Sequence, residues 1–418
     1  MRILWLSHFI PYPLTGGARL RTFNLLAQAS ARHEVHVLVF NQSANLPSPN
    51  AVADALAALR PHVASVDVLP IPAETSNWRR RQMTIAAFGK KTPYDVNWLA
   101  SSEMHRRIRA LASRESFDLV HLDTLGLVQY LADVPTLPAA LNHHNIESQL
   151  TQRRAALERH PLRAMYLARD GAKLEALERL VCPSVGVNMV VSPLDGDRLA
   201  KIAPGARTVV VDNGVDTEYF RPNASIASDP HHLVFAGGMN WFPNREAIRY
   251  FARDIWPALI RENPNRRATI IGREPPRELL DAADERLVVT GFVDDVRPHI
   301  HRAGIYVCPI RNGGGTRLKI LDALAMGKPL VATELAVEGL FMEPEVHYLR
   351  AETPPDYVLQ VKRLEENEEL RCRLSAAGRR LVEERYAWSV IGHSLASAYD
   401  VAIAHAFNAR SADVGAVA

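Results

Sequence analysis

Cysteine is scarce in this 418-residue chain: Cys182, Cys308 and Cys372 stand far apart, in no metal-type spacing. That excludes a disulfide framework and a cysteine zinc site, and a reducing compartment is the expectation. Excess charge is missing too. The 49 Lys and Arg nearly balance the 46 Asp and Glu, for a net charge of +3, so no nucleic-acid partner is expected. No segment approaches the ~18 uninterrupted apolar residues of a membrane span. The start, Met1 to Leu6, joins a cation to an apolar run that stops at Ser7-His8 and then meets Pro11 and Pro13. It has neither the long apolar core nor the small-residue cleavage site of a signal peptide, so a first β-strand is expected, in a cytoplasmic protein. There is no short-period repeat and no low-complexity tract. Hydrophobic content of 47% and charged content of 23% are those of an ordinary globular protein, long enough for two or three domains.

Arg2 to Ser7 reads as a buried strand, followed by a loop with Pro11, Pro13, Gly16 and Gly17. A helix pattern starts at Arg19, and Glu34 to Phe40 is the next strand. Strand, glycine loop, helix, strand is a βαβ unit and implies a parallel sheet. Short apolar strands follow near Val66, Leu119, Ala139, Asn188 and Thr208. A second series opens at His232 to Gly238, with a helix pattern from Arg245 to Arg261 and strands near Ala268, Leu287, Ile305 and Leu330. The fold class is therefore α/β, with two Rossmann-like halves in tandem: residues 1–211, then 212–388, with a turn-rich boundary at Val211 to Asp216. A last helix pattern runs over 389–407. Residues 408–418 lack large apolar groups and read as a disordered tail.

The most informative segment is Gly313-Gly314-Gly315-Thr316-Arg317-Leu318-Lys319, continuing through Asp322 to Pro329. Consecutive glycines expose backbone N–H groups directly ahead of a helix, which is a ready site for phosphate. Arg317 and Lys319 add positive charge in the first turn, and Asp322 shares a helix face with Lys319. Phosphate donors beside a hydroxyl acceptor suit a nucleotide-sugar. Taken alone, the glycines are equally consistent with a turn that caps an amphipathic helix.

The whole string resembles the C-terminal signature of retaining glycosyltransferases of family 4, in the subgroup that reads G-G-G-T-R-L-K-x-L-[ED]-A-x-A-x-G-x-P-[LV]-V. The resemblance implies the GT-B architecture: an acceptor-side domain and a donor-side domain facing a cleft, with the last helix crossing back to the first domain. It implies a nucleotide-sugar co-substrate, no other cofactor, no metal, and a lipid-linked or glycan acceptor in bacterial surface polysaccharide or glycolipid assembly. It aligns Gly16 and Gly17 with a loop that faces the donor's distal phosphate, where Arg19 and Arg21 could serve; a flexible connector is the plain alternative. His121 and Asp123 align with the two histidines of a V-H-x-H pattern, the second of which contacts the donor sugar. Strand alternation puts both on one face, and His121 reads equally as a core residue. Asn142-His143-His144-Asn145 resembles a cleft-edge loop, which makes His144 a catalytic candidate. The paired histidines lack a third metal ligand at suitable spacing.

In the second half Gly238 opens a loop in which the family's two diphosphate-binding cations are replaced by Met239 and Asn244. Arg317 and Lys319 are expected to supply that charge instead. Asp322 aligns with the second Glu of an E-x7-E motif, which receives ribose hydroxyls, whereas the first Glu is replaced by Gly314. Phe292 aligns with the loop beside the base and is either a base contact or a core residue. Trp78 to Lys91 carries five cations, two aromatics and no acid. It reads either as a solvated loop or as a patch for an anionic membrane surface, which would make the protein peripheral on the inner face of the cell membrane. Two other functions compete: a GT-B sugar-nucleotide epimerase, and a nucleotide-sugar-binding subunit that has lost catalysis, motivated by the replaced charges.

Overall fold

The computed structural model describes residues 1–42, 46, 48–313 and 315–415. The chain divides into two compact units, Met1–Asp212 together with the segment from Ile391, and Asn213–Val390.

The first unit is built on seven strands: β1 Arg2–Ser7, β2 Glu34–Asn41, β3 Ser65–Pro70, β4 Leu119–Leu122, β5 Ala139–Asn142, β6 Val187–Val190 and β7 Thr208–Val210. They pair in parallel in the order β3-β2-β1-β4-β5-β6-β7. Ile3, Leu4, Trp5 and Leu6 are wholly buried, as expected of a strand covered by helices on both faces. Strand order reverses between β1 and β4. Chain segments leaving these neighbours diverge to opposite sides, which opens a crevice at their carboxyl ends.

The second unit repeats the plan with β8 Asp229–Ala236, β9 Arg267–Ile271, β10 Leu287–Gly291, β11 Ala303–Cys308, β12 Leu330–Ala332 and β13 Leu349–Arg350. The order is β10-β9-β8-β11-β12-β13, again parallel, with the reversal between β8 and β11. The helix after the glycine loop, Leu318–Ala325, buries Ile320, Leu321, Ala323, Leu324 and Ala325. Each large side chain among them contributes on the order of 1.5–3 kcal/mol by leaving water, so the loop ahead of this helix is anchored to the core.

Two expectations are corrected. Residues 78–89 are not a loop: Asn77–Gly89 is a helix, whose start is capped where the Ser76 hydroxyl accepts from the Arg79 N–H at 3.1 Å, and only Lys90 and Lys91 of the basic run lie beyond it. With no Pro or Gly before Gly89, nothing in the run resists helix formation. The last helix does not end at Phe407 but runs Trp388–Gly415. Residues 408–414 contain neither proline nor glycine, so nothing in the sequence stops the helix there; residues 416–418 lie outside the described residues. Ile391, Leu395, Ala398, Tyr399 and Ala402 of this helix are buried, and Gly392 lets it approach Gln28 of the helix Gly17–Ser30, where a Cβ would meet the Gln28 Oε1 at 2.5 Å. No helix among the described residues is long and apolar enough to cross a membrane.

Candidate functional site

At the switch point of the first sheet, Asp123 follows β4 and is fully buried. The Ser7 and Thr22 hydroxyls each reach its carboxylate at 3.0 Å, and the Asn142 amide donates to Oδ1 at 3.1 Å. Two imidazoles flank it: His8 Nδ1 lies 3.7 Å from Oδ2 and His144 Nε2 lies 3.4 Å from Oδ1. Burial by itself would raise this carboxyl, but His144, followed by His8 and His121, outweighs burial and holds it down to about 2. A buried carboxylate needs such company. Burial lowers His8 to about 4 despite the attraction of Asp123, so at neutral pH its ring is uncharged. His8 follows β1 directly and was missed by the sequence reading. The rule that selected Asp123, a polar residue at the carboxyl end of a parallel strand, applies to it equally.

The other candidates of this unit separate. His121 belongs to the core: its ring stacks on Trp5 at 3.5 Å with an interplanar angle of 10°, and Nδ1 lies 2.9 Å from the Tyr399 hydroxyl. Burial pushes it down to about 3. It ties the last helix to the sheet and does not join the polar cluster at His8. His143 likewise turns inward, with Nε2 3.1 Å from Asn188 Oδ1, so the paired histidines do not act together. Arg21 is buried and braces the site from below, with Nη2 2.9 Å from Asn142 Oδ1 and Nη1 3.0 Å from the Asp212 carbonyl. It is therefore not a loop cation. Arg19 stays at the loop and donates to the Thr15 hydroxyl at 2.9 Å. Gly16 precedes the helix at φ 91°, with nothing within 4 Å of a Cβ built there, and Gly17 is the first helical residue.

At the switch point of the second sheet, the loop after β8 meets the loop after β11. Lys319 Nζ donates to Asn244 Oδ1, and the Asn244 amide donates to the Gly238 carbonyl at 2.7 Å. The Lys319 ammonium lies over the Phe235 ring, with Nζ 4.6 Å from the centroid. Gly237 leaves room for the ammonium, since a Cβ there would meet Lys319 Nζ at 2.3 Å and displace it. Gly313, at φ 108°, faces Pro243, whose Cγ would lie 2.7 Å from its Cβ. Thr316 accepts from the Asn213 amide, and Arg317 donates to the Gly315 carbonyl within its own loop. Gly314 lies outside the described residues. Met239 is wholly buried, so that position carries an apolar core contact and not a phosphate ligand.

Burial lowers Lys319 to about 8, opposed by Cys308 and Asp322. Burial likewise raises Asp322 to about 7, only partly offset by Lys319. Among the described residues no hydrogen bond to the Asp322 carboxylate is made, which leaves it able to accept from a ligand. Phe292 is not a core residue. It is 56% exposed, with the Arg273 guanidinium 4.1 Å over its ring. Arg273 follows β9 and was also missed.

A trio of candidate metal ligands, Glu34, His36 and Glu115, sits at the opposite, amino-terminal end of the first sheet, beginning at β2. Arg2 lies 3.0 Å from Glu34 and 4.0 Å from Glu115, so both carboxylates already share one resident cation.

Two family models match the chain: one described as Glycosyltransferase Family 4 over residues 15–219, and one described as Glycosyl transferases group 1 over residues 230–389. Among solved structures, sucrose-phosphate synthase from Thermosynechococcus elongatus is similar, with TM-score 0.70 and 15% identity over 97% of this chain and 100% of that one. HepE of Anabaena, solved with UDP, has TM-score 0.65 and 15% identity over 95% of this chain and 99% of its own. TarM of S. aureus, solved with fondaparinux, alpha-GlcNAc-glycerol and UDP, has TM-score 0.64 and 10% identity over 95% and 99%. A curated relative, an uncharacterized 44.6 kDa protein in the cps region of Klebsiella pneumoniae, is 26% identical over 117 residues. That match spans 26% of this chain and 30% of the relative's length. The chain thus carries a family 4-like glycosyltransferase domain followed by a group 1 glycosyltransferase domain, the two Rossmann-like domains of the GT-B architecture.

Proposed function

We propose that this protein transfers a sugar from a nucleoside diphosphate donor to an acceptor hydroxyl with retention of anomeric configuration, in bacterial surface polysaccharide or glycolipid assembly. The observation that carries this reading is the Lys319–Asn244 pair, set between two glycine loops with the unpaired Asp322 carboxylate on the same helix. UDP is the proposed nucleotide, because HepE and TarM were solved with it. No metal or further cofactor is invoked.

Lys319, Arg317 and the N–H groups of Gly313 to Thr316 would receive the diphosphate, Asp322 the ribose hydroxyls, and Phe292 with Arg273 the base. The sugar's anomeric bond to phosphate breaks as the bond to the acceptor oxygen forms on the same face, and the acceptor proton passes to the departing phosphate oxygen. Stabilising that departing charge is the main catalytic task. Asp123, with its oxygens occupied, is assigned a positioning role. It orients His8 and His144, whose other nitrogens would meet sugar hydroxyls. The acceptor is proposed to be lipid-linked or a glycan, and the helix Asn77–Gly89, with Trp78 67% exposed, is proposed to contact anionic lipid. The side chain of Phe88, the second aromatic of that patch, lies outside the described residues.

Thermal-shift screening of UDP, GDP, dTDP and ADP sugars should select a UDP-sugar. Incubation of that donor with extracted glycolipids and oligosaccharides should give a product carrying the retained anomer by NMR. Conversion of the donor to another sugar nucleotide without acceptor would identify an epimerase. Binding without any turnover would identify a binding subunit.

A further inference from the structure

A second surface of the first unit combines exposed apolar and basic side chains. Helices Glu147–Leu157 and Pro161–Val181, joined by residues 158–160, form a helical hairpin. Its base is anchored, since Gly171, Leu174 and Glu178 are buried and Glu178 accepts from the Ser148 N–H at 3.1 Å. Its tip is not. From Pro161 to Asp170 no residue is buried, and Leu157, Leu162 and Met165 are 50%, 66% and 54% exposed. Leu162 and Met165 are three apart and share a helix face, and Leu157 ends the other helix beside the turn.

The same stretch exposes Arg154, Arg159 and Arg163, and Glu158 is the only acid between positions 153 and 169. Glu158 is itself turned back onto the His160 N–H at 2.9 Å. Large apolar groups exposed together mark a surface that something covers. A neutral protein partner would account for the apolar side chains but not for the exposed arginines among them. An anionic bilayer accounts for both, because the apolar groups enter the acyl boundary while the guanidinium groups stay at the phosphates. The basic helix Asn77–Gly89 lies along the same flank: Lys173 donates to the Ala87 carbonyl at 2.7 Å, and the Tyr94 N–H, beside it, donates to Asp170 at 2.9 Å.

We propose that the hairpin tip, Leu157, Leu162 and Met165 with the exposed Arg154, Arg159 and Arg163, seats the first unit on an anionic phospholipid bilayer. This goes beyond the contact assigned above to the helix Asn77–Gly89 and is independent of glycosyl transfer. Each cation at such a surface multiplies binding on the order of fivefold, so Arg79, Arg80 and Arg81 of the helix Asn77–Gly89 add to the hairpin.

The test is flotation of the full chain, without donor or acceptor, with vesicles of phosphatidylcholine alone or mixed with phosphatidylglycerol. The protein should float only with phosphatidylglycerol, and less as salt screens the attraction. Leu162→Glu with Met165→Glu, and separately Arg159→Glu with Arg163→Glu, should each lower vesicle partitioning at least tenfold. Circular dichroism and nucleotide binding should be unchanged, because all four side chains are exposed. The proposal is overturned if both hairpin variants float like wild type while Arg79→Glu, Arg80→Glu and Arg81→Glu together abolish flotation. It is overturned equally if the Leu162 and Met165 variant keeps full binding and a soluble polyanion competes completely, which would point to an anionic glycan. A change of molecular mass by light scattering in the hairpin variants would assign the tip to self-association instead. Loss of glycosyl transfer with flotation intact would refute the proposed function and leave this surface standing.

Discussion

Asp322 offers the sharpest test of the donor site, because its two protonation states do different things. In the ligand-free protein burial holds the carboxyl up to about 7, against an ordinary Asp near 3.9. Between these values the unfolded chain has released the proton and the folded chain has not. Stability therefore falls as pH rises across this window and is level above it. A shift of about three units is worth at most about 4 kcal/mol. Asp322→Asn removes the term, so the variant should match wild type near pH 4 and melt higher near pH 8.

Nucleotide binding should act in the opposite sense. Ribose hydroxyls that donate to the carboxylate favour its ionised form, so binding expels the proton. At pH 6.5 roughly three-quarters of a proton should be released per UDP-sugar bound, given a carboxyl near 7. Below that value affinity should fall by about tenfold per pH unit. Calorimetry in buffers of different ionisation enthalpy measures the release directly. The diester phosphates of a UDP-sugar stay ionised throughout and do not contribute. Lys319, lowered only to about 8, is already protonated at pH 6.5 and takes up little. Proton release near zero in wild type, or release unchanged in Asp322→Asn, would remove Asp322 from the site.

Lys319→Ala should lower turnover at saturating donor by about a hundredfold, the usual cost of one donor to developing charge. Arg317→Ala should act in the same direction, and near-native turnover in both would defeat the assignment. Asp123→Asn should cost about 2–4 kcal/mol in denaturant unfolding, since it places an amide against donors and removes a buried charge. This difference should shrink as pH drops toward about 2, where the native carboxylate protonates. His121→Phe keeps the stack on Trp5 and loses the Tyr399 bond, so it should cost about 1 kcal/mol and leave turnover intact. A collapse of turnover in a folded His121→Phe would return His121 to the site. Phe292→Ala should weaken nucleotide binding by about 1 kcal/mol, with no change in melting temperature.

Much of this molecule could be read locally. The apolar runs at Ile3 to Leu6 and Leu233 to Ala236 determine buried parallel strands, because their period and length are properties of the chain itself. Gly313 to Lys319 declares a phosphate-type loop, because glycine and the following helix are neighbours in sequence. The basic run at Arg79 to Arg81 was equally visible, but its helical conformation was not. The absence of Pro and Gly before Gly89 permits the helix, but its seat beside the hairpin, where Lys173 donates to the Ala87 carbonyl, is set by a residue far along the chain.

What only the tertiary structure decided is which polar side chains turn inward together. Strand alternation put His121 and Asp123 on one face, yet the β1–β4 register lays His121 beside Trp5, while Asp123 passes beyond the strand to meet Ser7, 116 positions away. Thr22, 101 positions from Asp123, and Asn142 complete that cage, and His8 joins it only because β1 and β4 are neighbours at the switch point. Lys319 and Asn244 are 75 positions apart and meet for the same reason in the second sheet. Periodicity specifies which residues leave water. Partners for buried charge are chosen by strand order, which no single stretch of sequence contains.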